Sequence, residues 1–126
     1  MKYLLDTHTL IWLIEASPKV SDEIKQKLNF SNGVFLSSVS LWEIAIKTNL
    51  GKLKLASPFS KLLLDLRKTD IVILQIEDEY LKRLSSLPLI HKDPFDRLLI
   101  STALMEDLTI VTADENIQKY GVSWVW

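Results

Sequence analysis

The sequence predicts an α/β fold in which helices cover both faces of a central parallel sheet, within one domain that spans residues 1–126. Two observations support this fold class. Short apolar runs alternate along the chain with segments whose apolar residues recur at helical spacing, which is typical of parallel sheets with helical crossovers. The runs are mostly apolar throughout rather than at every second residue, as expected for strands that are buried on both faces.

Five segments are predicted to be strands, and the second of them follows the turn signal Asn32-Gly33. In the last segment, Val122, Trp124 and Trp126 could instead mark one face of an alternating strand. The predicted strands cover residues 3–5, 34–36, 71–74, 109–112 and 122–126.

Helical spacing of apolar residues predicts helices between these strands. One helix covers residues 39–50 and ends near Gly51. The segment 95–105 is apolar almost all round, which indicates a buried central helix, and Asp93-Pro94 before it is typical of a helix cap. The other predicted helices cover residues 10–15, 21–28 and 80–87 and a stretch that begins near residue 58.

Composition excludes several classes of function. The chain has 15 Lys and Arg residues against 16 Asp and Glu residues, so its net charge of -1 gives no global attraction for a polyanion. It has no cysteine, which excludes disulfides, thiolate zinc sites and cysteine nucleophiles. Its 3 glycines are isolated, so neither a dinucleotide-binding loop nor a Walker-type phosphate loop is present. No apolar run is long enough for a signal peptide or a membrane span, and we expect a cytoplasmic protein.

Four acidic residues occupy comparable places relative to the predicted strands. Asp6 and Asp114 follow the first and fourth strands, whereas Glu43 and Asp96 lie in the first turns of helices. Because the carboxyl ends of parallel strands share one edge, where ligands bind in α/β folds, these side chains are expected to meet in one cleft. Each also has a purely structural interpretation. Asp6 and Asp114 could cap the helices that follow them, Glu43 could form a capping box with Ser40, and Asp96 could simply favour its helix N-terminus.

A divalent cation would explain the convergence of four carboxylates. Two carboxylates about 6 Å apart repel by roughly 3 kcal/mol at an effective dielectric constant of about 20. The candidate ligands are all oxygen atoms, which suit Mg²⁺ or Mn²⁺ rather than zinc. Helix N-termini beside Glu43, Asp96 and Asp114 are expected to favour the ionised carboxylates. His8 and His91 are single residues for which we expect a surface or hydrogen-bonded role ahead of a place in the site.

Local basic residues provide candidate phosphate contacts. Lys47 and Arg97 share helices with the acidic candidates and are the predicted contacts to the phosphates of a nucleic acid, although most basic residues in the middle third are expected to form a solvated face. The 4 tryptophans offer surfaces on which bases could stack, and they could equally anchor a core or an interface.

Four stretches of the chain together resemble a known family. They are YLLDTHTLIW from Tyr3, SSVSLWEIAIK around Glu43, HKDPFDRLLISTA from His91 and TIVTAD ending at Asp114. In these stretches the sequence resembles the PIN-domain ribonucleases, in particular the VapC-type toxins of type II toxin–antitoxin pairs. The resemblance spans nearly the whole chain.

The resemblance implies a PIN-like three-layer α/β/α sandwich and assigns roles to individual residues. The implied catalytic and metal-binding positions are Asp6, Glu43, Asp96 and Asp114. The implied auxiliary positions are Thr7, Ser38, Asp93 and Thr112. The resemblance also implies Mg²⁺- or Mn²⁺-dependent cleavage of RNA, a VapB-like antitoxin as partner and, as in many relatives, a homodimer.

The resulting prediction is an endoribonuclease that hydrolyses phosphodiester bonds with a metal-activated water. Asp6, Asp96 and Asp114 are the main candidate ligands, and Glu43 binds a second ion or positions the water. Two alternatives stay open: a module that binds nucleic acid without cutting it, in complex with a DNA-binding partner, and a small-molecule phosphatase. The phosphatase alternative depends on Asp6-Thr7-His8, which resembles the D-x-D opening of aspartyl-phosphate phosphatases except that His8 replaces the second aspartate.

Overall fold

Five strands form a single all-parallel sheet at the centre of the computed structural model, which describes residues 1–126. They are β1 (Lys2–Leu5), β2 (Gly33–Ser37), β3 (Val72–Leu74), β4 (Thr109–Val111) and β5 (Trp124–Val125). The predicted parallel sheet is confirmed, and all five predicted strands are present. Strand β5 has only 2 residues, with Trp124 exposed and Val125 half-buried, so this edge strand is not covered on both faces.

The order of the strands creates a crevice at one edge of the sheet. The order is β3-β2-β1-β4-β5, so strands are added first to one side of β1 and then to the other side. Where the order reverses, between β1 and β4, the connections diverge and leave space for a ligand. The register places Leu5 of β1 beside Val111 of β4. Asp6 and Thr112, the next residues of the two segments, therefore follow side by side at this switch point.

Seven helices surround the sheet, and every predicted helix is present. They are α1 (Thr7–Ile14), α2 (Asp22–Asn29), α3 (Ser38–Asn49), α4 (Phe59–Arg67), α5 (Asp78–Ser85), α6 (Pro94–Glu106) and α7 (Glu115–Gln118). Helix α1 begins at Thr7 rather than at Leu10 because Asp6 caps it, with Asp6 Oδ1 accepting a hydrogen bond of 2.8 Å from the backbone N–H of Thr9. None of the helices has the length and apolar character needed to cross a membrane.

Separate hydrophobic cores cover the two faces of the sheet. Leu5 packs in one core with Leu10 of α1 and Leu66 of α4. Leu4, the preceding residue, points to the opposite face and packs with Leu99 of α6. Full burial of each leucine contributes about 1.5–3 kcal/mol relative to exposure. The two cores confirm the predicted three-layer α/β/α sandwich.

Helix α6 is the predicted central helix. Its seven consecutive residues 97–103 are all buried. Asp93 caps it, because Asp93 Oδ1 accepts hydrogen bonds from the backbone N–H groups of Phe95 (2.9 Å) and Asp96 (3.1 Å). The predicted cap is confirmed, and it fixes the first turn, in which Asp96 lies.

Helix α3 begins differently from the prediction. Ser37 Oγ caps the helix by accepting a hydrogen bond of 3.2 Å from the backbone N–H of Val39. Ser40 therefore lies inside the helix, and the capping box of Ser40 with Glu43 is wrong. The expected influence of the helix N-terminus on Glu43 is also wrong, because this effect fades beyond the first turn. The Glu43 carboxylate contacts other elements instead.

Candidate active site

The first acidic side chain joins strands β1 and β4 at the switch point. Asp6 is buried, and its Oδ2 accepts a hydrogen bond of 2.5 Å from Thr112 Oγ1. Thr9 Oγ1 donates to the carbonyl of Val111 at 3.0 Å, which holds the start of α1 against the end of β4. Burial raises the pKa of Asp6, and the hydrogen bonds from Thr112 and Thr9 offset only part of this effect. Asp6 thus caps a helix and also presents a carboxylate to the crevice.

The second acidic side chain is clamped between two helices. Glu43 is buried, and its Oε1 accepts a hydrogen bond of 2.6 Å from Thr7 Oγ1 at the start of α1. Its Oε2 lies 2.5 Å from Lys47 Nζ, one helical turn further along α3. Burial lowers the pKa of Lys47, but the hydrogen bond and the charge of Glu43 outweigh burial, so the pKa is raised overall. Ser40 Oγ completes the group at 3.0 Å from Thr7 Oγ1.

Asp96 shows that several carboxylates lie close together. Its pKa is raised to about 7, chiefly by burial and then by the charge of Asp93, with smaller contributions in the same direction from the charges of Asp114 and Glu43. A hydrogen bond from His91, whose Nε2 lies 3.2 Å from Asp96 Oδ2, works in the opposite direction. The helix N-terminus was expected to favour the ionised form of Asp96, but burial and the repulsion from neighbouring carboxylates act in the opposite direction and raise the pKa overall. The charges of Asp93, Asp114 and Glu43 therefore all reach the Asp96 carboxylate.

A cavity connects Asp114 to Asp6. The cavity has a volume of about 290 Å³ and is lined by Asp6, His8, Trp12, Ala113 and Asp114. Asp114 caps α7, as its structural interpretation predicted, because its Oδ1 accepts a hydrogen bond of 2.8 Å from the backbone N–H of Asn116 in the first turn. The ring centroids of His8 and Trp12 are 5.8 Å apart, so an aromatic wall stands beside the two carboxylates.

A family model for the PIN domain matches residues 3–122. The chain belongs to the PIN domain family. No curated protein matches the sequence. PIN domains are nucleases, which agrees with the class of activity that the sequence predicts.

Solved structures with the same fold cover almost the entire PIN domain. VapBC2 from Rickettsia felis, bound to a DNA fragment from its promoter, has a TM-score of 0.74 and 17% identity, covering 99% of this chain and 98% of that chain. DNA-bound VapBC from Salmonella typhimurium has a TM-score of 0.71 and 18% identity, covering 99% and 97%. A toxin-antitoxin complex from Klebsiella pneumoniae has a TM-score of 0.66 and 19% identity, covering 98% and 96%. These likenesses confirm the fold.

The acidic residues of this PIN domain meet as an electrostatic cluster rather than as a finished metal centre. No three acidic or histidine side chains are close enough to one another, as they stand, to hold one metal ion. Three of the four site carboxylates are instead held by neighbouring side chains: Asp6 by Thr112, Glu43 by Lys47 and Thr7, and Asp96 by His91. The donor atoms nevertheless fit a hard divalent cation, since all are oxygens and the repulsion that acts on Asp96 is what a cation would offset.

One predicted RNA contact is corrected by its surroundings. Arg97 is buried, and its guanidinium donates hydrogen bonds to the carbonyls of Pro88 (2.7 Å) and Leu87 (3.2 Å) and to Tyr120 Oη (2.9 Å). Adjacent residues of a helix point about 100° apart, so Arg97 faces the interior although Asp96 faces the site. Lys47, by contrast, has 31% of its side chain exposed, and the charges of Glu43, Asp93 and Asp96 act to raise its pKa.

The auxiliary residues divide in a similar way. Thr7 and Thr112 donate to site carboxylates, whereas Ser38 is half-buried at the start of α3. Ser40, which is not among the predicted site residues, supplies the hydroxyl beside Thr7. Its spacing of three residues from Glu43 is the signal that would have identified it, because such residues share a helix face.

His8 and His91 both lie nearer to the acids than expected. His8 lines the cavity with Asp6 and Asp114, and His91 contacts Asp96 directly. The expectation of a hydrogen-bonded role is correct for His91, but its partner is a site residue. Its position five residues before Asp96, across a helix cap, gave no periodic signal for this contact.

Proposed function

We propose that this single-domain protein is a Mg²⁺- or Mn²⁺-dependent endoribonuclease that acts as the toxin of a toxin–antitoxin pair. The observation that supports the proposal most directly is the electrostatic cluster at the switch point of the sheet. Asp96, whose pKa is raised by burial and by the charges of Asp93, Asp114 and Glu43, lies where α/β folds bind ligands, and Asp6 shares a cavity with Asp114.

The metal would be held by carboxylates from four different elements. The proposed ligands are Asp6, Glu43, Asp96 and Asp114. When bound, a divalent ion activates water for attack on phosphorus and offsets the charge on the phosphate oxygens. Thr112 and Thr9 keep Asp6 oriented toward the crevice, and Thr7 does the same for Glu43. These donors reduce the freedom of the carboxylates before any ligand arrives.

Side chains around the cluster are suited to single-stranded RNA. Trp12 and His8 form an aromatic wall in the cavity beside Asp6 and Asp114, on which an unpaired base can stack. Lys47 is the cation next to the carboxylates and would contact a phosphate once a metal ion has taken over the charge of Glu43. The bound ion and Lys47 together make an acidic crevice attractive to a polyanion.

The proposed partner is a VapB-like antitoxin. Structures that share this fold include VapBC complexes bound to DNA and a toxin-antitoxin complex, each covering nearly all of this chain. An antitoxin that covers the acidic crevice would prevent the chain from reaching RNA. A homodimer, common among relatives, is part of the same proposal.

An RNA cleavage assay with Mg²⁺ or Mn²⁺, and with a chelator, tests the proposed activity. We expect cleavage only with the metal, and its loss in Asp6→Asn and Asp96→Asn. The matched control is Asp70→Asn, because Asp70 is exposed and precedes β3 at the opposite edge of the sheet. Cleavage that persists with chelator or in both site variants would contradict the proposal. RNA binding without cleavage would favour the binding module, and hydrolysis of a phosphate monoester alone would favour the phosphatase.

A further inference from the structure

A chain of hydrogen bonds connects a buried arginine to the Asp96 carboxylate. Arg97 Nη1 donates to Tyr120 Oη at 2.9 Å, and the same hydroxyl lies 2.8 Å from His91 Nδ1. On the other side of the imidazole ring, His91 Nε2 lies 3.2 Å from Asp96 Oδ2. Arg97 and Tyr120 are 8% and 4% exposed, so the inner part of this chain is fixed in the protein interior.

The hydrogen bonds at the Tyr120 hydroxyl determine the tautomer of His91. The phenolic oxygen accepts from Arg97 Nη1 and from the backbone N–H of His91 (3.2 Å), which occupies both of its lone pairs. An N–H at His91 Nδ1 would be a third donor without an acceptor. The O–H of Tyr120 therefore donates to Nδ1 at 2.8 Å, a shorter distance than the 3.4 Å to the His91 carbonyl. The ring proton is then on Nε2, which faces Asp96.

Arg97 holds the Tyr120 hydroxyl in place because other hydrogen bonds already fix the orientation of the Arg97 guanidinium. Its guanidinium also donates to the carbonyls of Pro88 (2.7 Å) and Leu87 (3.2 Å). Guanidinium is planar and always charged, so these contacts leave it one orientation and no way to accept a proton from Tyr120. The direction of every hydrogen bond from Arg97 to Asp96 is therefore set from the buried end.

We propose that Arg97 and Tyr120 are positioning residues that fix the Nε2–H tautomer of His91, so that His91 holds Asp96 Oδ2 and leaves Asp96 Oδ1 for the divalent cation. Asp96 Oδ1 has no hydrogen-bond partner in the protein. Because every buried side-chain oxygen of the protein does have a partner, Asp96 Oδ1 must be accessible to solvent. A carboxylate held by one oxygen is restricted in rotation, and partners of this kind typically contribute 10–100-fold, to order of magnitude, to metal affinity. The inference rests on the proposed function, because it concerns a metal ligand of that function.

Nitrogen-15 NMR of the imidazole rings tests the tautomer in the metal-free protein. The chain has 2 histidines, and His91→Gln assigns the signals by removing one set. We expect His91 to carry its proton on Nε2 in the wild type and to lose this preference in Tyr120→Phe. The tautomer with the proton on Nδ1 in the wild type would overturn the inference.

Mn²⁺ binding to the wild type and to His91 variants tests the consequence for the metal site. We expect His91→Leu to raise the Kd for Mn²⁺ by about 10–100-fold. His91→Gln should recover most of the affinity, because the glutamine amide can donate from a position similar to Nε2. Tyr120→Phe should also weaken Mn²⁺ binding, and Tyr80→Phe is its matched control, since Tyr80 is a buried tyrosine whose hydroxyl donates at 2.9 Å to Glu106, a carboxylate at the far end of α6.

The outcomes separate this inference from the proposed nuclease. A folded His91→Leu that binds Mn²⁺ as tightly as the wild type, or a His91→Gln no better than His91→Leu, overturns the inference even if the wild type cuts RNA. Weaker Mn²⁺ binding by His91→Leu in a protein that never cuts RNA supports the inference and contradicts the nuclease. If Tyr120→Phe does not fold, the His91 variants and the wild-type NMR spectrum still decide.

Discussion

Replacing Asp96 by asparagine is expected to stabilise the metal-free protein at alkaline pH while abolishing cleavage. Burial and the charge of Asp93 are the main causes that raise the pKa of Asp96 from 3.8 to about 7, so the ionised carboxylate is unfavourable in the folded state. Asparagine keeps the size of the side chain and an oxygen that can accept from His91, but it removes the charge. A catalytic ligand whose loss improves stability is the signature of a site selected for function rather than for folding.

The magnitude follows from the pKa difference. One pKa unit equals about 1.4 kcal/mol, so the difference between 3.8 and about 7 sets an upper limit of about 4 kcal/mol. The neighbouring acids titrate together with Asp96, which divides this energy among them, and we expect a gain of about 1–3 kcal/mol. Because the folded-state pKa is raised, the stabilising contribution of protonated Asp96 is fully present below about pH 4 and is lost as the pH rises through about 7.

Urea denaturation with chelator, at about pH 5 and about pH 8, measures this effect. Asp96→Asn should be more stable than the wild type at the higher pH, and the difference should shrink at the lower pH. Added Mg²⁺ should stabilise the wild type more than the variant. Asp70→Asn controls for the chemical change at an exposed site and should show neither effect. An Asp96→Asn variant that is no more stable than the wild type at about pH 8 would refute the argument that repulsion and burial act on this carboxylate.

Three further changes test individual contacts. Thr112→Val removes the hydroxyl that donates to the buried Asp6 carboxylate. It should lower the free energy of unfolding by about 1–3 kcal/mol in urea denaturation and slow RNA cleavage. An unchanged cleavage rate would contradict the role of this hydroxyl. Lys47→Gln should raise KM for RNA more than it lowers kcat in steady-state assays, and an effect on kcat alone would point instead to the loss of its ion pair with Glu43. Arg97→Ala should lower the free energy of unfolding by about 3 kcal/mol or more, because several buried acceptors lose their donor, and weaker RNA binding without destabilisation would restore Arg97 as an RNA contact.

The fold was predictable because its signals are local. Runs such as Tyr3-Leu4-Leu5 are apolar at every position, which is typical of short strands covered on both faces. The first and last residues of the helices were harder to predict from the sequence. Helix α1 starts earlier than its apolar spacing suggests because a side chain, Asp6, caps it, and α3 starts at Ser38 because Ser37 rather than Ser40 is the cap.

The candidate site was only partly predictable, for a different reason. Parallel topology brings the carboxyl ends of strands to one edge, so the positions of Asp6 and Asp114 followed from the order of elements. Contacts between elements, such as Thr7 with Glu43, depend on how the helices are tilted and rotated, which no single segment encodes. The interpretation of Arg97 failed although a signal existed. It lies inside a helix that is apolar almost all round, where a charged side chain has to be buried and paired.

The stability of the whole domain explains how an acidic cluster of this kind is tolerated. The repulsion and burial at Asp96 cost at most about 4 kcal/mol, whereas one fully buried leucine contributes about 1.5–3 kcal/mol. Leu4 and Leu5 lie directly before Asp6 and bury one side chain in each of the two cores. The strand that delivers the first carboxylate to the crevice is therefore also the strand that anchors both faces of the sheet.

Replacing Leu5 by alanine should destabilise the domain by about 2–5 kcal/mol. Adding Asp96→Asn should recover part of this loss in a double variant measured by urea denaturation, because it removes the unfavourable carboxylate. A double variant whose free energy of unfolding is no higher than that of Leu5→Ala alone would show that the Asp96 carboxylate does not destabilise the folded domain.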